Sequence, residues 1–186
     1  MLDVSILSKI QQRRSVFPSQ FNGETIPNAL VQKLLDCAHT APSHRLTQPW
    51  CFKVFSGTAK MQLASYITTN EQIIMPAIKK KKTIDKFQRS SHILCVCMRR
   101  DPKERVPEWE EVAATAMAVQ NIWLACVGSP IGGYWSTPAY VSELTDYLQL
   151  SNHERCLGLF YLGMHNELDQ RQTDRNDIRD HVEWFE

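Results

Sequence analysis

The 186-residue sequence has no excess of either charge: 21 Lys+Arg stand against 20 Asp+Glu, a formal net charge of +1. That balance excludes a global pull toward nucleic acid or an anionic membrane surface. Glycine is sparse, with only 7 residues, and none fall in a G-x-G-x-x-G or G-x-x-x-x-G-K pattern, so a Rossmann or P-loop phosphate site is excluded. There is no G-x-S-x-G elbow for a serine hydrolase. The six cysteines, Cys37, Cys51, Cys95, Cys97, Cys126 and Cys156, form no C-x-x-C pair. His92 lies near Cys95 and Cys97, but on a strand the two cysteines share a face and the histidine turns to the other. With no second ligand pair, no metal is expected. Long apolar runs are also missing. Thr115, Gln120 and Asn121 interrupt the most apolar stretch, leaving no run of the ~18 residues that a membrane span needs. The opening MLDVSILSKIQQRRS has an early acid and no continuous apolar core, so no secretory leader is expected. The cysteines then read as reduced thiols and the chain as cytoplasmic.

What is present is an ordinary core-forming composition, 43% hydrophobic and 22% charged. The length supports a substantial core without staples. No repeat, low-complexity tract or linker appears, so residues 1–186 read as one domain. Periodicity predicts a helix over 3–13, with Val4, Leu7 and Ile10 on one face, and another from Pro27 to about His39. Further helices are predicted over 58–67 and 140–149. The segment EWEEVAATAMAVQNIWLACVG predicts a long helix over 108–127, acidic at its positive end and apolar nearly all round, hence buried. Strands are predicted at 50–55, where Trp50, Phe52 and Val54 share a face, and at 93–98 and 156–164, both apolar throughout. A short strand lies within GSPIGGYWSTP, 128–138. Residues 68–91 are polar, split by Pro76, and carry Lys79 to Lys82. The sum is an α+β layered domain, a central sheet of about four strands wrapped by helices.

Four clusters stand out for chemistry. Arg13, Arg14 and Ser15 close the first helix; two guanidiniums and a hydroxyl suit a phosphate, though basic residues also complement a helix C-terminus. His44 and Gln48 lie in the loop APSHRLTQPW, where they either satisfy local backbone or meet the polar edge of a ligand. Trp135, Ser136 and Thr137 follow Gly132 and Gly133, glycines that would permit close approach by a ligand; a turn with a buried aromatic is the plainer reading. Lys79 to Lys82 reads as a solvated face or a phosphate contact for an incoming nucleotide.

The order of these pieces resembles the nitroreductase family of FMN-dependent NAD(P)H oxidoreductases. The pieces are R-R-S after an N-terminal helix, P-x-H-x-x-x-Q-P-W before a strand, a long Ala-rich helix with Q-N near its middle, G-G-x-W-S-T, and L-G-L-F-Y-L-G. The likeness is to a short, compact branch and runs from about residue 5 to 184. It implies a mainly antiparallel sheet and a homodimer with flavins at the interface and C-terminal segments embracing the partner. It assigns Arg13, Arg14 and Ser15 to the FMN phosphate and ribityl chain. It assigns His44 to the flavin across the dimer interface, Trp135, Ser136 and Thr137 to its protein side, and Arg175 to the phosphate. NADH or NADPH would be the co-substrate, and a nitroaromatic, quinone or activated alkene the acceptor. No catalytic side chain is implied, since the cofactor carries the redox work. A flavin-holding or sensing protein without reductase turnover is the alternative. Three positions depart from common family patterns: Leu46 where many members have Asn, Phe17 where many have Lys, and Thr40 where the short branch often has Arg.

Overall fold

The computed structural model describes residues 2–168 and 175–186. Helix α1 (Val4–Gln12) opens where the Asp3 carboxylate accepts from Ser5 N at 2.8 Å, an N-cap that satisfies one orphan amide. Helix α2 (Asn28–His39) buries Val31, Leu34 and Ala38, spaced to lie on one face. Next come β1 (Trp50–Ser56), α3 (Gly57–Thr69) and α4 (Ala77–Arg89). The chain continues through β2 (His92–Arg99), α5 (Glu108–Ala125), β3 (Ile131–Ser136) and β4 (Glu154–Met164).

The four strands form one sheet in the order β1-β2-β4-β3, every neighbouring pair antiparallel. The continuous apolar runs of β2 and β4 follow from their central positions: both of their faces are covered. Ile93, Cys95 and Cys97 face Leu63, Ile67 and Phe87 of α3 and α4. Leu94 and Val96 face Val31, Leu34, Ala118 and Ile122 of α2 and α5. Strand β1 behaves likewise, with Cys51 and Phe55 on the first side and Trp50 and Phe52 on the second. The α+β layered expectation holds.

Two expectations are corrected, and one segment without an expectation is filled in. Residues 140–149 are not an α-helix but a 3-10 turn at Val141–Leu144 followed by further turns. Leu144 and Leu148 are buried at helical spacing, yet the amides of Val141, Glu143 and Thr145 close back three residues, onto Pro138, Tyr140 and Ser142. Residues 77–89, left unassigned by pattern, are helix α4, whose buried side is only Thr83 and Phe87. Helix α5 is covered on one side only. It buries Glu111, Ala114, Thr115, Ala118, Val119 and Ile122, while Trp109 is 68% and Met117 40% exposed. Helix α1 buries nothing.

The glycines of β3 serve packing. A Cβ on Gly133 would lie 2.3 Å from the Phe160 ring, and one on Gly132 would lie 2.6 Å from Val16. Both glycines therefore make room for core side chains. Gly133→Ala is expected to cost ~1–3 kcal/mol through overpacking, measured by denaturant unfolding.

His92 is a satisfied core histidine. Its Nε2 lies 2.9 Å from Asn28 Oδ1, its Nδ1 lies 2.9 Å from Ser91 Oγ, and Ser91 Oγ accepts from Ile26 N at 2.7 Å. Burial, with Lys60 nearby, holds its pKa below the usual histidine value. The unfolded chain therefore takes up a proton that the fold resists. The fold keeps its full stability above the unfolded pKa of ~6.5 and loses it as pH falls through the lower folded value. Unfolding midpoints measured from pH 8 to 5 should decline below ~6.5, and His92→Gln should flatten that decline.

Candidate functional site

The first group of candidates gathers at the start of β3. Arg13 N donates to Lys9 O at 3.0 Å, closing α1, and the Arg13 guanidinium sits 5.2 Å above the Trp123 ring of α5. Trp123 Nε1 donates to Gly133 O at 2.8 Å, and Val16 N donates to the same carbonyl at 3.0 Å. The Phe17 ring follows, 4.7 Å from that of Tyr134. Residues 13–17 are thus fastened along the free edge of β3. Arg14 lines a cavity of about 610 Å³ shared with Gln12, Gly132, Gly133, His165 and Glu167. Arg13, Arg14 and Ser15 are all half-buried, and the Arg14 Nε is itself buried.

The second group, at the end of β3, does not act as a unit. The Trp135 indole turns into the core and lies over Gly158, where a Cβ would meet Nε1 at 2.6 Å. Among the described residues that Nε1 is buried without a hydrogen-bond partner. Thr137 Oγ1 donates to Leu157 O at 3.3 Å. Ser136 alone opens onto a cavity, one of about 510 Å³. That cavity is walled by Ile73 and Met75, by Tyr140 and Tyr161, and by lysines of α4.

His44 lies elsewhere. It starts a 3-10 turn at His44–Leu46, its Nδ1 is 2.6 Å from Glu110 Oε2 on α5, and its side chain is 58% exposed. Arg45, Leu46 and Gln48 hold φ of 52°, 52° and 44°, left-handed values that cost non-glycine residues energy and gather at ligand clamps. The loop is anchored by Gln48 N donating to Ser43 Oγ at 3.2 Å. His44, Trp109, Ala113 and Met117 line a hollow of about 400 Å³.

Within one chain His44 and Arg13 are far apart. His44 is tied to Glu110 and Arg13 to Trp123, and the α5 segment between these anchors spans about 20 Å at ~1.5 Å per residue. The loop also precedes β1 at one edge of the sheet, while residues 13–17 flank β3 at the other. Arg175 is exposed at the start of the described tail. Glu110 and Trp123 escaped sequence reading because they read as a dipole-matched helix start and a core aromatic.

Among the described residues no group of His, Cys, Asp or Glu is arranged to hold a metal. None of the described helices is long and apolar enough to cross a membrane.

The family model described as "Nitroreductase family" matches residues 10–164. A curated Bacillus subtilis (strain 168) protein, "Putative NAD(P)H nitroreductase YfhC", is 29% identical over 178 residues, covering 92% of this chain and 89% of its own. Among solved structures, a nitroreductase-like family protein from Bacillus cereus is 25% identical with a TM-score of 0.83, covering 100% of this chain and 98% of its own. A variant of the FMN and NADPH-dependent nitroreductase NfnB from a sphigopyxis strain shares the fold at a TM-score of 0.76 and 16% identity, with 97% of this chain and 99% of that one covered.

Proposed function

The chain belongs to the nitroreductase family, and on that premise we propose that it is an FMN-dependent oxidoreductase using NAD(P)H to reduce nitroaromatics, quinones or related electrophilic acceptors. The observation that carries this reading is the attachment of residues 13–17 to β3. Arg14 lines a cavity of about 610 Å³ there, between Arg13, which stacks over the Trp123 of the same wall, and Ser15. That donor set fits a single phosphate, since forked guanidinium donors match phosphate oxygens. It also favours a mononucleotide, because the chain has no dinucleotide fingerprint.

FMN, when bound, supplies the hydride chemistry. Arg13, Arg14 and Ser15 hold its phosphate end, and Arg175 joins them. Trp135, Ser136 and Thr137 back it from the protein side: Trp135 stiffens the strand from the core, Thr137 fixes the strand's exit, and Ser136 is the member that meets the reactants. His44, held by Glu110 on a strained loop, presents a ring nitrogen at the flavin edge of a second copy.

The separation of His44 and Arg13 supports a homodimer, in which a second copy supplies the His44 of each site. The apolar surface agrees. Val4, Ile6, Met117, Trp109, Trp184 and Phe185 are all exposed by 40% or more, and patches of that kind mark association surfaces. The C-terminal segment carrying Trp184 and Phe185 embraces the partner. Nicotinamide and acceptor then use one opening in succession. Steady-state rates at several fixed acceptor concentrations should give parallel double-reciprocal lines; intersecting lines would contradict the shared opening.

A further inference from the structure

The cavity of about 510 Å³ beside Ser136 is more basic than its neighbours. Lys79, Lys82 and Lys86 of α4 all line it, because positions three, four and seven apart share a helix face. Among the described residues Glu143 is the only acidic one on the wall, and its Oε1 accepts from Ser142 Oγ at 3.1 Å. The helix supplies no offset: its first turn has no acidic residue and Pro76 caps it without a side-chain bond. Lys79, in the first turn, opposes the macrodipole, which an anion in the cavity relieves, while Lys86 lies in the last turn. The opposite wall is planar and apolar. The Lys86 ammonium lies 6.0 Å from the centre of the Tyr161 ring, and Ile73, Met75 and Tyr140 complete the surface. Tyr140 is hydrogen-bonded to Tyr161 and Thr83, and burial pushes its pKa up to about 12, so its hydroxyl keeps its proton.

We propose that this cavity binds the carboxylate or phosphate of a planar reactant, gripped by Lys79, Lys82 and Lys86, with the reactant's unsaturated part turned toward Ser136. The inference rests on the reading of Ser136 as a flavin-side residue. The same anionic chemistry has two sources: an acidic electron acceptor, or the phosphates of the pyridine nucleotide. A neutral acceptor leaves the lysines facing apolar surface, whereas an acidic one gains charge-assisted hydrogen bonds, roughly twice the strength of neutral ones.

The test compares the FMN-loaded wild type with a variant carrying Lys79→Gln, Lys82→Gln and Lys86→Gln together. Flavin content and unfolding midpoint are measured on both, and neither should change, because these side chains are exposed or half-buried and lie outside the phosphate group at Arg13–Ser15. Calorimetry without reductant then compares 4-nitrobenzoate with the neutral 4-nitrobenzamide, and the oxidised nucleotides NADP+ with NAD+. If the acceptor is the source, wild type binds the acid about tenfold or more tighter than the amide, and the variant loses that preference. If the nucleotide is the source, the variant loses affinity for NADP+, alone or together with NAD+, and treats acid and amide as wild type does. Equal affinities of wild type and variant for all four probes would overturn the proposal. A colourless wild type that takes up no FMN would overturn the flavin reading instead, and the calorimetry would still report on the lysines.

Discussion

Arg14→Ala should lower the affinity for FMN by about tenfold to a hundredfold, the equivalent of one charge-assisted contact of ~1.5–3 kcal/mol. Arg14 is the guanidinium that lines the cavity beside β3. Arg13 is different, because it also stacks over Trp123, whose Nε1 bonds the same Gly133 carbonyl as Val16. Arg13→Ala is therefore expected to weaken both FMN binding and the attachment of the 13–17 segment, with a lower unfolding midpoint. Titration of FMN fluorescence against each variant measures the affinities, and unchanged affinity in Arg14→Ala would remove the phosphate role.

Met117→Glu should abolish the dimer and with it flavin retention. Met117 is 40% exposed on α5 and shares a hollow with His44 and Trp109. Burying an unpaired carboxylate in an apolar interface costs far more than such an interface gains per residue. On the proposed shared site, a separated chain keeps Arg13, Arg14 and Ser15 but lacks the His44 of a second copy, since the α5 anchors of His44 and Arg13, Glu110 and Trp123, stand about 20 Å apart. Light scattering should move from twice the chain mass to the single-chain 21.4 kDa, and FMN affinity should fall more than a hundredfold. Circular dichroism checks that the monomer is still folded. A flavin-saturated monomer would contradict a shared site.

The sheet was legible because its two central strands are continuous apolar runs, and its helices because their apolar spacing is regular. Helix α4 was hidden: only Thr83 and Phe87 face the core, so its lysine-rich surface swamps the period. The 140–149 segment misled for the opposite reason, since two leucines at helical spacing fill the core from a chain of turns. In the site, Arg13–Arg14–Ser15 was legible as adjacent donors. The packing role of Gly132 and Gly133 was not, since it depends on Val16 and Phe160, residues distant in sequence. Nor was the grip of Glu110 on His44, which joins positions 66 residues apart. Exposure of one face of α5 was also unreadable, because composition alone does not distinguish burial by one's own chain from burial by a second copy.

The most direct measurement is an anaerobic titration of the FMN-loaded protein with NADH and with NADPH, followed optically at the flavin band. One equivalent of the preferred nucleotide per flavin should bleach the band, and addition of a quinone or nitroaromatic should restore it. A flavin band that neither nucleotide bleaches, or a protein that takes up no FMN, would contradict the assignment of this chain as an NAD(P)H-dependent oxidoreductase.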